Sequence, residues 1–227
     1  MTTSRVSFAV AGGRDAGGEL ALPAGSERAG AVMVFHEWWG LNEHVRSILE
    51  RLSGEGFVAL GVDLYDGKTT KDAGEASALM GALDWDVAMD RARGAFRYLE
   101  QHERSNGKVA VLGFCMGGAL SFAAACAIPG LAAAVPFYGV PEASRLDLDA
   151  LRAPVLAHFA SRDGWAKPSK AQAIRDELSA RGKAMQLEIY EADHAFFNDT
   201  RPEVYAEEAA ELAWSRTVSF LREHLAS

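Results

Sequence analysis

The chain has 227 residues, of which 49% are hydrophobic and 24% are charged, so it is long enough to bury one substantial core. Its formal net charge is -8 and no cluster of lysine and arginine is present, which argues against nucleic acid and anionic membranes as partners. We therefore expect one α/β domain over residues 1–227 that acts on a small molecule.

The beginning of the chain predicts a hairpin and then a buried strand. Residues 5–10 and 19–22 alternate weakly and flank the glycine-rich segment 11–18, which is typical of an antiparallel hairpin. The continuous apolar run 31–35 is typical of a strand that is covered on both faces.

The rest of the chain alternates between helix and strand patterns. Apolar stripes predict helices over 45–52, 87–98, 119–127, 169–181 and 202–224, and apolar or alternating runs predict strands over 57–63, 108–112, 131–137, 154–159 and 185–190. Residues 65–82 are expected to form an excursion over the active face, and residues 105–108 a turn. This alternation predicts a mostly parallel twisted sheet with helices on both faces.

The segment 113–118 (GFCMGG) lies between a predicted strand and a predicted helix. Its pattern, G-x-C-x-G, is that of the nucleophile elbow of α/β-hydrolases with Cys115 in place of serine, and a turn this tight explains Gly113 and Gly117. Cys115 is expected to stand above the sheet at a helix N-terminus, which favours a thiolate. Taken alone, the segment also fits a glycine-rich packing turn with a buried cysteine.

Polar residues follow the ends of the predicted strands, where chemistry is expected in an open α/β sheet: Glu37, Cys115, Tyr138, Asp163 and His194. The order nucleophile, acid, histidine is that of the α/β-hydrolases. A histidine can take the thiol proton, and a carboxylate can fix its tautomer. Asp193 is the alternative carboxylate, but neighbours in sequence rarely point at each other productively, so we predict a Cys115–His194–Asp163 triad.

Other chemistry has little support in the sequence. Cys115 and Cys126 lie roughly 16 Å apart along one predicted helix, too far for a disulfide. The absence of a signal-peptide pattern predicts a cytoplasmic protein. No histidine pair has metal-ligand spacing and no nucleotide-binding glycine motif is present, so we expect no metal and no cofactor. His158, within a predicted strand, is expected to be a hydrogen-bonded core residue.

With these residues in hand, the chain resembles the dienelactone hydrolase family (carboxymethylenebutenolidases) along nearly its whole length. The matching motifs are FHEWWGLN at 35–42, DLY at 63–65, VLGFCMGGA at 111–119, FYGV at 137–140, RDG at 162–164 and DHAFF at 193–197. The resemblance implies that Cys115 is the nucleophile, His194 the base and Asp163 its orienter. It also implies that Glu37 lies close to the resting thiol and holds it neutral until substrate arrives.

The family resemblance implies hydrolysis of dienelactone to maleylacetate, or of a related lactone or small ester, without a cofactor. The oxyanion hole is expected from the backbone N–H groups of Met116, the residue after the nucleophile, and Trp38, to which the resemblance points.

One departure from the family concerns the substrate carboxylate, which the family binds with two arginines. Asn198 stands in place of one of them, with Arg201 further along the chain, and the region of the other offers Lys68 and Lys71. The catalytic prediction is unaffected, but the substrate preference is open. The residues predicted to bind substrate are Tyr138, Trp39, Phe197, Asn198 and Arg201.

Two other functions stay open at this stage. A thiol redox or peroxide-sensing protein would use Cys115 without hydrolysis, although Cys126 is out of reach as a resolving cysteine. A non-catalytic binding protein would need neither Asp163 nor His194 at a strand end. We expect a monomer or small homo-oligomer that binds a small lactone or ester, with neither nucleic acid nor membrane as a partner.

Overall fold

Consecutive residues of β3 (Ala29–Phe35) enter two different hydrophobic cores. Met33 and Phe35 belong to one core, whereas Val32 and Val34 belong to the other, and all four are at most 1% exposed. Side chains along a strand alternate between the two faces of the sheet, so a continuous apolar run requires cover on both sides.

Residues 3–226, which the computed structural model describes, form an eight-stranded sheet of order β1-β2-β4-β3-β5-β6-β7-β8. Strands β3 to β8 run parallel, and β1 and β2 extend the sheet in antiparallel fashion beside β4. The remaining strands are β1 (Ser4–Ala9), β2 (Asp15–Ala21), β4 (Val58–Val62), β5 (Ser105–Phe114), β6 (Ala133–Phe137), β7 (Val155–Ala160) and β8 (Met185–Tyr190).

Helices cover both faces of this sheet. The helices are α1 (Glu43–Gly54), α2 (Ala73–Gly81), α3 (Trp85–Gln101), α4 (Met116–Ala127), α5 (Pro168–Ala180) and α6 (Glu207–Leu225). Apolar side chains of α3, α4 and α5 enter the core on one side, and those of α1 and α6 enter the core on the other. None of the helices between residues 3 and 226 is long and apolar enough for a membrane crossing.

The predicted hairpin and the mostly parallel sheet with helices on both faces are confirmed, but several boundaries differ. Residues 105–108 do not form a separate turn: they begin β5, because Ser105 pairs with Ala29 and a register shift follows in β3. The last helix begins at Glu207, and residues 202–206 form a loop that the Ala206 N–H anchors to the Phe196 carbonyl. This loop reaches the edge of the sheet where the parallel strands end.

Candidate active site

Cys115 lies in a sharp turn between β5, which ends at Phe114, and α4, which begins at Met116. Its backbone has φ 54 and ψ -114, a conformation that a residue with a side chain rarely adopts and that costs of order 1–3 kcal/mol. Such strain persists only where the surroundings impose it, and the turn leaves the cysteine half-buried at the end of the sheet.

The glycines of the elbow allow this turn to pack closely. A Cβ atom on Gly113 would collide with the backbone of Gly117, and a Cβ atom on Gly117 would collide with the carbonyl oxygens of Phe35 and His36. The G-x-C-x-G spacing therefore reflects two backbone contacts, one within the elbow and one between the elbow and the end of β3.

A continuous chain of hydrogen bonds joins the three residues predicted as the triad. His194 Nε2 lies 3.2 Å from Cys115 Sγ, and His194 Nδ1 lies 2.7 Å from Asp163 Oδ2. The other carboxylate oxygen, Oδ1, accepts the backbone N–H groups of Trp165 and Ala166 at 2.7 and 2.9 Å. Asp163 is thus held on one oxygen by its own loop and offers the other to the histidine.

The hydrogen bonds and charges within the triad favour a protonated His194 and an ionised Asp163. Burial by itself lowers the pKa of His194, but the hydrogen bonds to Asp163 and Cys115 and the charges of these two residues outweigh burial and raise the pKa to about 10. Burial raises the pKa of Asp163, and the hydrogen bond and charge of His194 together with two backbone N–H groups hold it below its usual value. The site therefore stabilises an imidazolium beside a carboxylate.

Asp193, the alternative carboxylate, has a different partner. Its Oδ2 lies 3.2 Å from Arg162 Nη2 at a half-exposed surface position. Asp163 occupies the place beside His194 instead, because the loops after β7 and β8 run next to each other, with the Arg162 N–H bonded to the Ala192 carbonyl.

Glu37 is 3% exposed, and both of its carboxylate oxygens accept hydrogen bonds. Tyr138 OH donates to Oε1 at 3.2 Å, and Asn198 Nδ2 donates to Oε2 at 2.6 Å. Burial together with the charges of Glu37 and Cys115 raises the pKa of Tyr138 well above its usual value, so this hydroxyl keeps its proton. The sequence led us to expect Glu37 beside the thiol. In the structure the two residues line one cavity, but the thiol is hydrogen-bonded to His194.

A cavity of about 260 Å³ opens above the triad. Three tryptophans form much of its wall, with ring centres 5.0 Å apart for Trp38 and Trp39 and 6.5 Å apart for Trp38 and Trp165. The guanidinium of Arg201 lies 5.5 Å from the ring centre of Trp39. The lining residues are Glu37, Trp38, Trp39, Met80, Cys115, Trp165, His194, Ala195, Arg201 and Val204.

Of the five residues predicted to bind substrate, Trp39 and Arg201 line this cavity. Tyr138 and Asn198 are at most 1% exposed and do not line the cavity. Both are hydrogen-bonded to Glu37, which does line it. Phe197 is corrected to a core residue, since its ring stacks on Phe114 at 5.3 Å.

Four residues that line the cavity were not identified from the sequence: Met80, Trp165, Ala195 and Val204. Trp165 follows the RDG motif by one residue, and this proximity to Asp163 is the signal that could have identified it. Met80 and Val204 lie on α2 and on the loop before α6, where no sequence pattern distinguishes residues that face the cavity.

The residues predicted for the oxyanion hole, Met116 and Trp38, lie on two segments close to the nucleophile. Met116 is the first residue of α4, and the first N–H groups of a helix have no acceptor within it. Trp38 lies in the loop after β3, beside Glu37 in the cavity wall. Within residues 3–226, no group of three or more histidine, cysteine, aspartate or glutamate side chains is arranged to hold a metal ion.

Comparison with known proteins places the chain among hydrolases. A sequence model described as the dienelactone hydrolase family matches residues 17–225. The protein named usf of Aquifex pyrophilus is 34% identical over 204 residues, covering 86% of this chain and 88% of its own length. A carboxymethylenebutenolidase of Pseudomonas sp. is 31% identical over 233 residues, covering 98% and 96%.

Solved structures agree with these sequence matches. A dienelactone hydrolase-like promiscuous phosphotriesterase from metagenomic libraries superposes with a TM-score of 0.88 at 26% identity, covering 99% of each chain. A thermophilic esterase of Thermogutta terrifontis, 19% identical over 99% of this chain and 94% of its own, has a TM-score of 0.72 and shares the α/β-hydrolase fold.

Proposed function

Because the chain belongs to the dienelactone hydrolase family and is an ester or lactone hydrolase, we propose that it works through a Cys115–His194–Asp163 triad. The observation that carries this proposal is the hydrogen-bond chain from Asp163 through His194 to Cys115 Sγ, with lengths of 2.7 and 3.2 Å. A nucleophile, a base within hydrogen-bond reach and a group that orients the base are the elements of covalent hydrolysis.

In the first half-reaction, the proton of the Cys115 thiol passes to His194 Nε2, Sγ attacks the carbonyl carbon of the substrate, and the carbonyl oxygen takes up the electron pair. The N–H groups of Met116 and Trp38 stabilise this oxyanion. The oxyanion then collapses, the bond to the leaving oxygen breaks, and His194 Nε2–H donates its proton to that oxygen. The product of this step is a thioester on Cys115. When the substrate is a lactone, the leaving oxygen stays on the same ring-opened acyl chain.

In the second half-reaction, His194 Nε2 takes a proton from water while the water oxygen attacks the thioester carbon. The carbon–sulfur bond breaks with its electron pair going to Sγ, His194 Nε2–H returns a proton to the sulfur, and the acid leaves. Asp163 keeps its negative charge throughout, since it holds the Nδ1 proton of His194 and stabilises the imidazolium that forms.

The proposed substrate is a small lactone or ester of the dienelactone class that carries an anionic group. The size of the cavity, about 260 Å³, is near the lower end of small-molecule pockets, and its walls are largely aromatic. Arg201, whose guanidinium also pairs with Glu203 at 2.7 Å, supplies a cation in this cavity, and we propose that it replaces the arginine for which Asn198 stands. A cytoplasmic location, the small-molecule partner and a monomeric or small oligomeric state stay predictions.

The family and the carboxymethylenebutenolidase relative reported above are hydrolases, which favours hydrolysis over the thiol redox alternative. The second cysteine also fits a redox role poorly. Cys126 is buried in α4, and burial raises the pKa of its thiol to about 11, which leaves it protonated and unreactive at neutral pH.

The proposal is tested by steady-state hydrolysis of cis- and trans-dienelactone and of p-nitrophenyl acetate. Wild type, Cys115→Ala, His194→Ala and the control Cys126→Ala are compared. We expect turnover to be lost in the first two variants and retained in the control, and rapid quenching to trap an acyl group on Cys115. Turnover that persists in Cys115→Ala would exclude the triad.

A further inference from the structure

His36 is a buried titratable residue that the hydrolytic steps do not use. It follows the last residue of β3, its exposed fraction is 0%, and its ring packs against Tyr65 with ring centres 4.8 Å apart. It does not line the cavity, whereas Glu37 and Trp38, the two residues that follow it, do.

Two backbone groups determine the tautomer of this histidine. The Leu64 N–H lies 3.2 Å from Nε2, and because an N–H can only donate, Nε2 must carry no proton. The carbonyl oxygen of Glu37 lies 2.5 Å from Nδ1, and because a carbonyl can only accept, Nδ1 must carry the proton. Burial lowers the pKa of His36 to about 4, so the ring keeps this neutral form at neutral pH.

The carbonyl that His36 binds belongs to the same peptide unit as the Trp38 N–H. A trans peptide is planar and its C=O and N–H point in opposite directions, and the peptide bonds between residues 3 and 226 are all trans. The carbonyl of Glu37 points toward His36 and also accepts the Gly40 N–H at 3.3 Å. The Trp38 N–H therefore points away from His36.

From this geometry we propose that His36 is a positioning residue, which holds the Glu37–Trp38 peptide so that the Trp38 N–H faces the oxyanion. The inference rests on the proposed function, in which Trp38 is an oxyanion donor. A hydrogen bond to the carbonyl of a peptide also polarises its N–H, which strengthens that donor. The same residue touches the elbow, since its carbonyl oxygen is one of the atoms that exclude a side chain at Gly117.

Two substitutions separate the hydrogen bonds of His36. Asn places its amide near the position of Nδ1 and keeps a donor to Glu37, whereas Gln places its amide near Nε2 and keeps only the partner of Leu64. His158→Gln is the matched control, because His158 is also 0% exposed and is bound by Tyr190 and Thr217. It is expected to lower the melting temperature without changing the ratio defined below.

Two reagents report on the nucleophile with and without the oxyanion hole. A trifluoromethyl ketone adds to Cys115: a bond forms between Sγ and the carbonyl carbon, the carbonyl oxygen takes the electron pair, and the thiol proton goes to His194. Iodoacetamide alkylates the same sulfur without forming an oxyanion. The ratio of ketone affinity to alkylation rate therefore measures the oxyanion hole separately from the reactivity of the thiol.

For His36→Gln we expect ketone affinity and kcat to fall about tenfold to a hundredfold, with KM and the alkylation rate unchanged. His36→Asn should keep ketone affinity and kcat within about threefold of wild type. Equal losses in ketone affinity and alkylation, or no loss in either, would overturn the inference. Failure of wild type to bind the ketone through Cys115 would contradict the proposed function instead.

A measurement on wild type needs no substitution. NMR of isotope-labelled histidine in the intact protein should show His36 as the neutral Nδ1–H tautomer at neutral pH. The Nε2–H tautomer would overturn the inference, because that form has no proton to donate to the Glu37 carbonyl.

Discussion

Asn198 donates a hydrogen bond of 2.6 Å to Glu37, and both residues are almost completely buried. The second donor to this carboxylate, the Tyr138 hydroxyl, is also uncharged. The carboxylate of Glu37 is thus held in the wall of the cavity by two neutral hydrogen-bond donors.

Removing the Asn198 amide should therefore destabilise the protein. Asn198→Ala leaves one oxygen of a buried carboxylate without its donor, which costs about 1–3 kcal/mol of the free energy of unfolding. Asn198→Asp should cost more at about pH 7.5 than at about pH 5, because two neighbouring carboxylates share a proton more readily in acid. Urea unfolding at both pH values measures this difference. An equal cost at the two pH values would show that the carboxylates do not interact.

Asp163→Asn, compared with Asp193→Asn, should show which of the two carboxylates orients His194. The amide cannot stabilise the imidazolium and favours the wrong tautomer, so we expect kcat to fall by about a thousandfold or more. Asp193→Asn, at the partner of Arg162, should change kcat by less than about twofold. Steady-state kinetics on one chromogenic ester compares them. A larger loss in Asp193→Asn would reverse the assignment.

Two buried histidines should make the protein sensitive to acid. Burial lowers the pKa of His36 to about 4 and that of His158 to about 3, whereas an unfolded histidine titrates near 6.5. As the pH falls below about 6.5, the unfolded chain binds protons that the folded chain does not, so the free energy of unfolding decreases. At about pH 5 the loss is roughly 2 kcal/mol per histidine.

Urea unfolding between about pH 7.5 and about pH 5 measures this slope. His158→Gln should lower stability at every pH but make the slope shallower, since one of the two titrating groups is gone. The carboxylate of Asp163, whose pKa is held low by His194, loses its contribution only in stronger acid. His194, whose pKa is raised to about 10, stabilises the fold as the pH falls toward about 6.5, but it does so equally in wild type and variant. A slope that is identical in wild type and variant would contradict the prediction.

Trp165 should determine which substrates bind well. Its ring is 76% exposed and lines the cavity, so an aromatic group of the substrate can bury it. We expect Trp165→Ala to lower kcat/KM about tenfold for an aryl ester and little for a small aliphatic lactone, because an apolar contact is worth about 1–3 kcal/mol. Its hydrogen bond to Asp163 comes from the backbone and is retained.

Trp165→Phe should keep most of this selectivity, and Trp85→Phe is the control, since Trp85 packs against Arg145 away from the lining of the cavity. Equal losses on both substrates would indicate a general disturbance of the Asp163 loop.

The elbow should tolerate no side chain at Gly117. Gly117→Ala forces a methyl group against the carbonyl oxygens of Phe35 and His36 and should lower the free energy of unfolding by several kcal/mol or prevent folding. Gly54→Ala is the control, since a Cβ atom there meets nothing within 4 Å and the residue ends α1, so stability should rise by about 0.5–1 kcal/mol. Chemical denaturation compares the two. A mild effect at Gly117 would show that the end of β3 can move.

Much of the architecture could be predicted from local patterns. The continuous apolar run of β3 requires cover on both faces, and the G-x-C-x-G spacing requires a turn too tight for side chains, so both follow from physical constraints that act within a few residues. The meeting of Cys115, Asp163 and His194 follows from the rule that parallel strands present their carboxyl ends at one edge.

The walls of the cavity were harder to predict because they depend on contacts distant in sequence. Phe197 and Trp165 both lie near triad residues, but Phe197 stacks on Phe114 in the core, whereas Trp165 lines the cavity together with Cys115. Sequence proximity cannot distinguish these two outcomes. The start of β5 was missed for a similar reason: the pairing of Ser105 with Ala29 outweighs the local turn preference of residues 105–108.

The triad residues and part of the cavity wall belong to separate parts of the chain. Cys115, Asp163 and His194 follow strand ends, whereas Met80 lies on α2 and Val204 on the loop before α6. Insertions and substitutions in those connections can reshape the cavity while the bond-breaking groups keep their geometry. The scaffold is therefore evolvable, because related proteins can change substrates while they keep one set of catalytic residues.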